Sequence, residues 1–220
     1  MTAIAGNVDV AELLSRLASR RPAFHSEADL QHAFAWELHT LDPLAQVRLE
    51  IQVQSKKYLD LLFWRPDINR YTAIELKYLT AHWSGTVHSS ELHSEEAFDL
   101  RNHGAQDVNG YHIVNDLARL ESFCAGRVNW NGIFVLLTND PSYWRAPTHG
   151  RVTNANAFRV HDGLELNGVR GWGPKTGPGT MKGIENAIEL AGSYRLQWRD
   201  YSHLGGPRGE FRSLTVQVGG

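Results

Sequence analysis

The sequence predicts an α/β fold: a mixed central sheet whose elements run helix, three strands, helix, strand, with an additional β-hairpin near the C-terminus. Three observations carry this reading. Residues 58–78, YLDLLFWRPDINRYTAIELKY, read as two strands around a turn, RPDINR, whose Pro, Asp and Asn are turn formers. Segments 26–41 and 106–124 flank this hairpin with apolar residues at helical spacing. Residues 131–138, NGIFVLLT, form a continuous apolar run, the pattern of a strand buried on both faces.

In chain order, residues 8–20 form a first helix with Val10, Leu13, Leu14 and Leu17 as its apolar stripe and Asn7 or Asp9 as its cap. The helix over 26–41 starts at Ser26, with Asp29 three residues on in place of the usual Glu or Gln of a capping box. Its stripe is Leu30, Phe34, Leu38 and Leu41. Glu27 lies near the centre of that stripe, Gln31 one turn on, and Glu37 at its margin. Residues 46–54 alternate: Val47, Leu49, Ile51 and Val53 face one way, Arg48, Glu50, Gln52 and Gln54 the other. A symmetric turn through 55–57 pairs Val53 with Leu59, Ile51 with Leu61 and Leu49 with Phe63. It also sets Gln52 opposite Asp60, with Glu50 nearby.

Residues 79–103 are polar and rich in Ser and His, and read as an irregular insertion, a functional flap or a mobile loop. His88, His93 and His103 match no zinc spacing. The helix over 106–124 buries Ile113, Leu117, Leu120 and Cys124, which makes Cys124 a small core residue and not a nucleophile. The strand at 131–138 follows that helix and is expected to run parallel to a central strand through a right-handed crossover. Residues 139–183 read as loop, with Arg170, Trp172, Lys175 and Lys182 forming a basic, aromatic-interleaved segment suited to phosphates and bases. A plain surface loop is the other reading of that segment. A short helix over 184–190 and strands over 194–201 and 211–218 complete the chain.

At 220 residues the chain is most economically one domain: a helical extension over 1–22, a core over 24–138, and a loop-rich extension with the hairpin over 139–220. With 42% hydrophobic and 21% charged residues it has the balance of a folded globular protein, and no apolar run approaches the roughly 20 residues of a membrane span. The N-terminal residues lack the basic start and apolar core of a secretory signal. A single cysteine suits a reducing compartment, so the cytoplasm is the expected location. A net charge of −2 speaks against a protein that coats nucleic acid nonspecifically, but an acidic site can offset a basic groove.

Within the central hairpin, Leu59, Leu61 and Phe63 share a face with Ile74, Leu76 and Tyr78, while Asp60, Glu75 and Lys77 point to the other. Symmetric closure sets Trp64 opposite Tyr71, Leu62 opposite Ala73 and Asp60 opposite Glu75. Directly opposed residues have Cβ atoms about 5 Å apart, where like charges repel. Two carboxylates placed there suit a hard divalent cation. Lys77, on the same face about 7 Å along the strand, could orient a water or neutralise charge on a phosphate.

Asp60 followed by Glu75-Leu76-Lys77 across a short hairpin resembles the PD-(D/E)XK nuclease superfamily, which includes restriction enzymes, resolvases and repair nucleases. The order of predicted elements from residue 24 to 138 is similar to that group's restriction-endonuclease-like α-β-β-β-α-β core. One departure is Leu59 where the motif has Pro. The resemblance implies a Mg²⁺-dependent hydrolase, with Mn²⁺ as a substitute, that cuts phosphodiester bonds of nucleic acid, DNA ahead of RNA. Asp60, Glu75 and the Leu76 carbonyl would hold the metal and Lys77 would position water, with Glu27 as the further acidic residue and Gln31 beside it. Gln52, Gln106 and Tyr111 are supporting candidates; the last two are five apart where the family's Q-x-x-x-Y signature has four. Cutting both strands of a duplex calls for a homodimer or two encounters. The alternative is a nuclease-fold protein that binds or scaffolds without cleaving; members of that kind lose Asp, Glu or Lys, and all three are present.

Overall fold

The computed structural model describes residues 3–54, 57–89, 92–148 and 150–219. A two-stranded ribbon, β1 (Ala3–Ile4) and β2 (Val8–Asp9), leads into helix α1 (Val10–Arg20) and helix α2 (Glu27–Leu41). Three strands follow, β3 (Gln46–Gln54), β4 (Lys57–Arg65) and β5 (Arg70–Leu79), then a hairpin of β6 (Trp83–Ser89) and β7 (Ser94–Leu100). Helix α3 (Gln106–Cys124) precedes strand β8 (Trp130–Thr138) and the short helix α4 (Pro141–Trp144). Beyond these come β9 (Glu165–Arg170), the short helix α5 (Pro178–Met181), β10 (Ile188–Arg195), β11 (Trp198–His203) and β12 (Glu210–Val218).

The centre is a mixed six-stranded sheet in the order β11-β12-β8-β5-β4-β3. β5 and β8 are parallel, as a crossover through α3 requires, and the other pairs are antiparallel. α1, α2 and the β6–β7 hairpin cover one face, where Leu13, Leu30, Phe34, Leu38, Leu61, Phe63, Ile74, Leu76 and Tyr78 form a continuous core. α3 and the β9–β10 hairpin cover the other face, packed on Ala73, Phe134, Leu136 and Leu214. Among the described residues no helix is long and apolar enough to cross a membrane.

Local signals explain the helix starts. Asp9 accepts hydrogen bonds from the main-chain N–H groups of Ala11 and Glu12, so it, and not Asn7, caps α1. Ser26 Oγ accepts from Asp29 N at 3.1 Å, while Asp29 accepts from His25 N at 2.9 Å, one residue before the reciprocal bond of a true capping box. Glu37 is not marginal: it is 2% exposed and forms ion pairs with Arg16 and Arg20, tying α2 to α1.

Several expectations need correction. Residues 79–103 are not irregular; they contain β6 and β7, whose Trp83, Phe98 and Leu100 plug into the first core while the polar side chains face outward. Residues 139–183 contain α4, β9 and α5, and 184–190 is no helix, since β10 begins at Ile188. The strand expected over 194–201 is the end of β10 and the start of β11, which with β12 extends the central sheet at its edge. β3 pairs with β4 two residues out of the expected register, Ile51 with Leu59, Leu49 with Leu61 and Val47 with Phe63, with a bulge between Gln52 and Gln54. A symmetric turn cannot anticipate a bulge. Because the slip is even, Val47, Leu61 and Phe63 keep the face expected of them, whereas Val53 and Leu59, beside the bulge, turn to the core under α3. The expected turn at residues 55 and 56, and the side chain of Gln54, lie outside the described residues.

α3 is gripped at two points by the C-terminal part of the chain. Near its start, Gly110 lets the main chain of Phe158 approach, so that a Cβ there would sit 2.5 Å from the Phe158 carbonyl oxygen. Near its end, the Glu121 carboxylate accepts from Gly192 N at 2.7 Å, Ala191 N at 2.9 Å and Tyr194 OH at 2.6 Å, pinning the bulge of β10. Helix propensity favours Ala over Gly by about 1 kcal/mol, yet overpacking costs about 1–3 kcal/mol. At 2.5 Å from main chain the second effect wins. Gly110→Ala is therefore expected to lower stability by about 1–2 kcal/mol in urea unfolding; a more stable variant would show that the contact yields.

Candidate functional site

Asp60 stands where the sheet comes apart. The β4–β5 ladder runs from Arg65↔Arg70 to Leu61↔Ile74 and stops. On the other side, β3 pairs at Leu49↔Leu61 and Ile51↔Leu59 but skips the position between, where Glu50 has a left-handed φ of 51°. Asp60 thus has a strand partner on neither side. Its side chain takes over: Oδ2 accepts from Leu76 N at 2.7 Å. Its free carbonyl accepts from Gln31 Nε2 at 2.8 Å, and the same amide donates to Glu50 Oε1 at 2.9 Å. The local twist also carries Leu59 into the core under α3, not the one with Leu61.

Glu75 and Lys77 project from β5 towards α3. Asp60 and Glu75 do not form a paired register position, because the ladder ends one residue short, but they interact electrostatically. Glu75, 3% exposed, accepts from Arg119 at 3.0 Å. Arg119 also donates to Asp116 Oδ1 at 2.9 Å and to the Tyr58 carbonyl. Lys77 Nζ lies 3.3 Å from Asp116 Oδ2 and 3.8 Å from Glu27 Oε1, and donates to the Leu76 carbonyl at 3.3 Å. Glu27 Oε2 accepts from Tyr78 N at 2.9 Å. Glu27 is not buried as its place on the helix stripe suggested. Its side chain is 44% exposed, because it stands on the first turn and reaches past the helix end to the edge of β5.

Asp116 and Arg119 were not among the sequence candidates. The signal was present: Asp116 falls three residues after Ile113 and four before Leu120, a charged residue at the spacing of a buried stripe. It is 4% exposed, and its Oδ2 is fully buried without a hydrogen bond. Glu27, Asp60, Glu75 and Asp116 thus face two cations, Lys77 and Arg119, an excess of two negative charges when all are ionised.

Burial first, and that excess after it, move the titrations. Burial, reinforced by Glu27 and Asp116 and opposed by the Leu76 N–H and Lys77, raises Asp60 to about 6. Burial, with Asp60 and Asp116 adding repulsion against Arg119 and Lys77, raises Glu75 to about 9. Burial disfavours the Lys77 ammonium, but the surrounding carboxylates, Asp116 foremost, outweigh it and hold its proton more tightly than usual. Among the described residues no three His, Cys, Asp or Glu side chains already converge as a metal-holding group. Lys77, Arg119 and main-chain N–H groups keep the carboxylates engaged. The excess of negative charge that builds as Asp60 and Glu75 ionise is nevertheless what a divalent cation would offset. Asp116 Oδ2, which among the described residues meets only the Lys77 ammonium at 3.3 Å, adds to it.

The remaining candidates lie elsewhere. Gln52 is exposed and opposite Tyr58, not Asp60, a consequence of the register slip. Gln106 donates to Asp140 at 3.0 Å, and at 1.5 Å per residue it starts α3 about 15 Å before Asp116. Tyr111 is 7% exposed, stacked on Trp172 with ring centroids 5.9 Å apart and edge-on to Phe158. Trp172 is half-buried, its Nε1 donating to the Ile184 carbonyl at 2.8 Å and one ring face taken by Tyr111. Arg170 braces its own strand through the Asn167 and Glu165 carbonyls, whereas Lys175 and Lys182 are exposed. His103 hydrogen-bonds Thr80, and His88 faces Glu95 at 3.5 Å. Cys124 is buried, and burial raises its thiol to about 11. No family model, curated protein or solved structure matches the chain.

The raised carboxyls have a consequence for stability. The folded chain keeps protons that the unfolded chain gives up, so this contribution is complete below the ordinary carboxylate range. It is lost as pH rises through about 6 for Asp60 and about 9 for Glu75. Glu75→Gln removes the larger part. Its urea midpoint is expected near that of the wild type at about pH 5 and above it at about pH 8; a gap that does not widen with pH would mean that Glu75 holds no extra proton.

Proposed function

We propose that the chain is a metal-dependent phosphodiesterase acting on nucleic acid, of the PD-(D/E)XK nuclease type, with DNA as the first substrate to test. The observation that supports this most is the setting of Lys77. Its ammonium is held inward between Asp116 and Glu27, beside two carboxyls that burial and mutual repulsion make hard to ionise. A lysine on an incidental solvated strand face would turn to water.

Asp60 and Glu75, with the Leu76 carbonyl, would hold Mg²⁺ or Mn²⁺. When bound, such a cation supplies a water of lowered pKa and charge for the phosphate oxygens. The residues of the chain do the rest. The Leu76 N–H bond aims Asp60, and Arg119 aims Glu75. Lys77 faces the same space as a fixed positive charge for the phosphate or the attacking water. Asp116, which touches Lys77 and Arg119, is a positioning residue. Holding a cation requires ionised carboxyls, so affinity should rise with pH from about 6 to about 9. The order of α2, β3, β4, β5, α3 and β8, with a hairpin inserted after β5, also agrees with this reading. Tight pairing of Arg119 with Glu75 favours a second reading, a protein that binds nucleic acid without cutting it.

A Mg²⁺ and Mn²⁺ cleavage screen over labelled single-stranded, duplex and branched DNA and RNA separates the two. In the first reading Lys77→Ala and Glu75→Ala each lower cleavage by about 10²-fold or more. Glu27→Gln lowers it as well, whereas Glu37→Gln, about 15 Å along α2 and committed to Arg16 and Arg20, does not. Asp116→Asn shifts the alkaline side of the pH–rate profile down, since Lys77 loses its nearest partner. Wild-type rates in both Lys77→Ala and Glu75→Ala would place the activity elsewhere.

A further inference from the structure

Beside the carboxylate cluster, on the side of β4 and the second half of α3, lies a cavity of about 210 Å³. Glu75 is common to both: its carboxylate belongs to the cluster and forms part of the cavity wall. The wall also carries Lys57, Arg119 and Arg127, with Leu59 and Phe123 among its apolar part. Three cations therefore stand against one carboxylate, and that carboxylate is already engaged by Arg119. The sign of charge reverses between the cluster and its neighbour within the length of the Arg119 side chain.

The two outer cations differ in kind. Arg127 is exposed but fixed: its Nε donates to the Phe123 carbonyl at 2.7 Å, and its guanidinium lies 4.7 Å from the Phe123 ring centroid and 5.2 Å from that of Trp130. A fixed guanidinium loses little freedom on meeting an anion. Lys57 is exposed and makes no ion pair among the described residues. Two cations outside any ion pair among the described residues, Lys57 and Arg127, beside the half-buried Phe123 ring are suited to a phosphate ester, with the charge on the cations and the sugar on the carbon surface. The volume is too small for a folded partner to enter.

We propose that this cavity is a phosphate subsite for a single nucleic-acid strand, taking a phosphate adjacent to the one presented to Lys77, with its sugar against Phe123, the half-buried ring of the wall. The identity of the ligand rests on the phosphodiesterase reading; the charge and shape of the cavity do not. Arg119 links the two sites, since the guanidinium that holds Glu75 and Asp116 also lines the subsite.

The test is binding without cleavage. A fluorescein-labelled single-stranded DNA dodecamer is titrated with protein in EDTA across a range of salt and followed by anisotropy. The proteins compared are wild type, Lys57→Glu, Lys57→Ala/Arg127→Ala, and the control Arg199→Ala on β11 at the opposite edge of the sheet. Each phosphate contact on a single strand contributes about 0.7 to the slope of log K against log salt. The double variant is expected to bind about 10-fold more weakly at low salt, with a slope smaller by about 1.4. Lys57→Glu, a change at an exposed position, should weaken binding on its own, while Arg199→Ala should match the wild type. No binding by the wild type, or equal affinity and slope in wild type and double variant, overturns the subsite. Weakened binding with an unchanged slope overturns it as well, because no phosphate contact would have been lost. A wild type that binds in this pattern but cuts nothing in Mg²⁺ removes the phosphodiesterase reading and leaves the subsite. One that cuts, with binding indifferent to Lys57 and Arg127, does the reverse.

Discussion

The hydrogen bond from Leu76 N to the Asp60 carboxylate, 2.7 Å long, is the point on which the arrangement turns. An inner strand cannot leave a main-chain donor unpaired, because a buried unmet N–H costs about 1–3 kcal/mol. β5 loses its β4 partner after Ile74, and without Asp60 the separation of the two strands would expose that donor. The carboxylate makes the opening tolerable. In turn the opening frees the Asp60 carbonyl for Gln31, lets Glu50 leave the ladder, and clears the space into which Glu75 and Lys77 project. One short acidic side chain therefore replaces a length of strand pairing and holds a cleft in the sheet.

The chain balances the resulting charge from two directions. α2 brings Glu27 to Lys77 from the face of the first core, and α3 brings Asp116 and Arg119 from the second. The balance is partial: buried Asp116 Oδ2 has the Lys77 ammonium at 3.3 Å as its one partner among the described residues, and Glu75 remains hard to ionise even with Arg119 on it. Buried groups left in that condition are costly for folding alone. They gain a rationale if something carrying positive charge completes the set.

Most of the scaffold was legible because periodicity reports burial. The stripes of α1, α2 and α3 and the apolar run of β8 each needed a single face or none, and their buried residues follow the pattern. The β6–β7 hairpin was not, because Trp83, Val87, Phe98 and Leu100 are sparse marks of its inner side among mostly small and polar residues. Alternation could not disclose the bulge in β3, so the partner of Asp60 was misassigned even though its face was right. Of the site itself, Asp60, Glu75 and Lys77 could be found from a hairpin alone, being local. Arg119 reaches Glu75 across 44 positions, and Asp116 was masked by the apolar residues around it. Tyr111 and Trp172 misled for the opposite reason: aromatic residues suited to a nucleobase stack on each other instead.

The two grips on α3 bear on how the cleft keeps its shape. Asp116 and Arg119 lie between Gly110, closed against Phe158, and Glu121, tied to β10. Successive residues on a helix are turned by about 100°, so a slight roll of α3 about its axis would swing both side chains away from β5. Strand pairing does not act on the roll of a helix lying on the sheet; apolar packing and the bonds of Asp116 and Arg119 resist it, and the two grips add stops at either end. The stops are supplied by residues after 155, far along the chain from any acid of the cluster. What resembles decoration around a small charged cleft is thus its torsional anchor: cut away, it would leave every charged side chain in the sequence and none of them aimed.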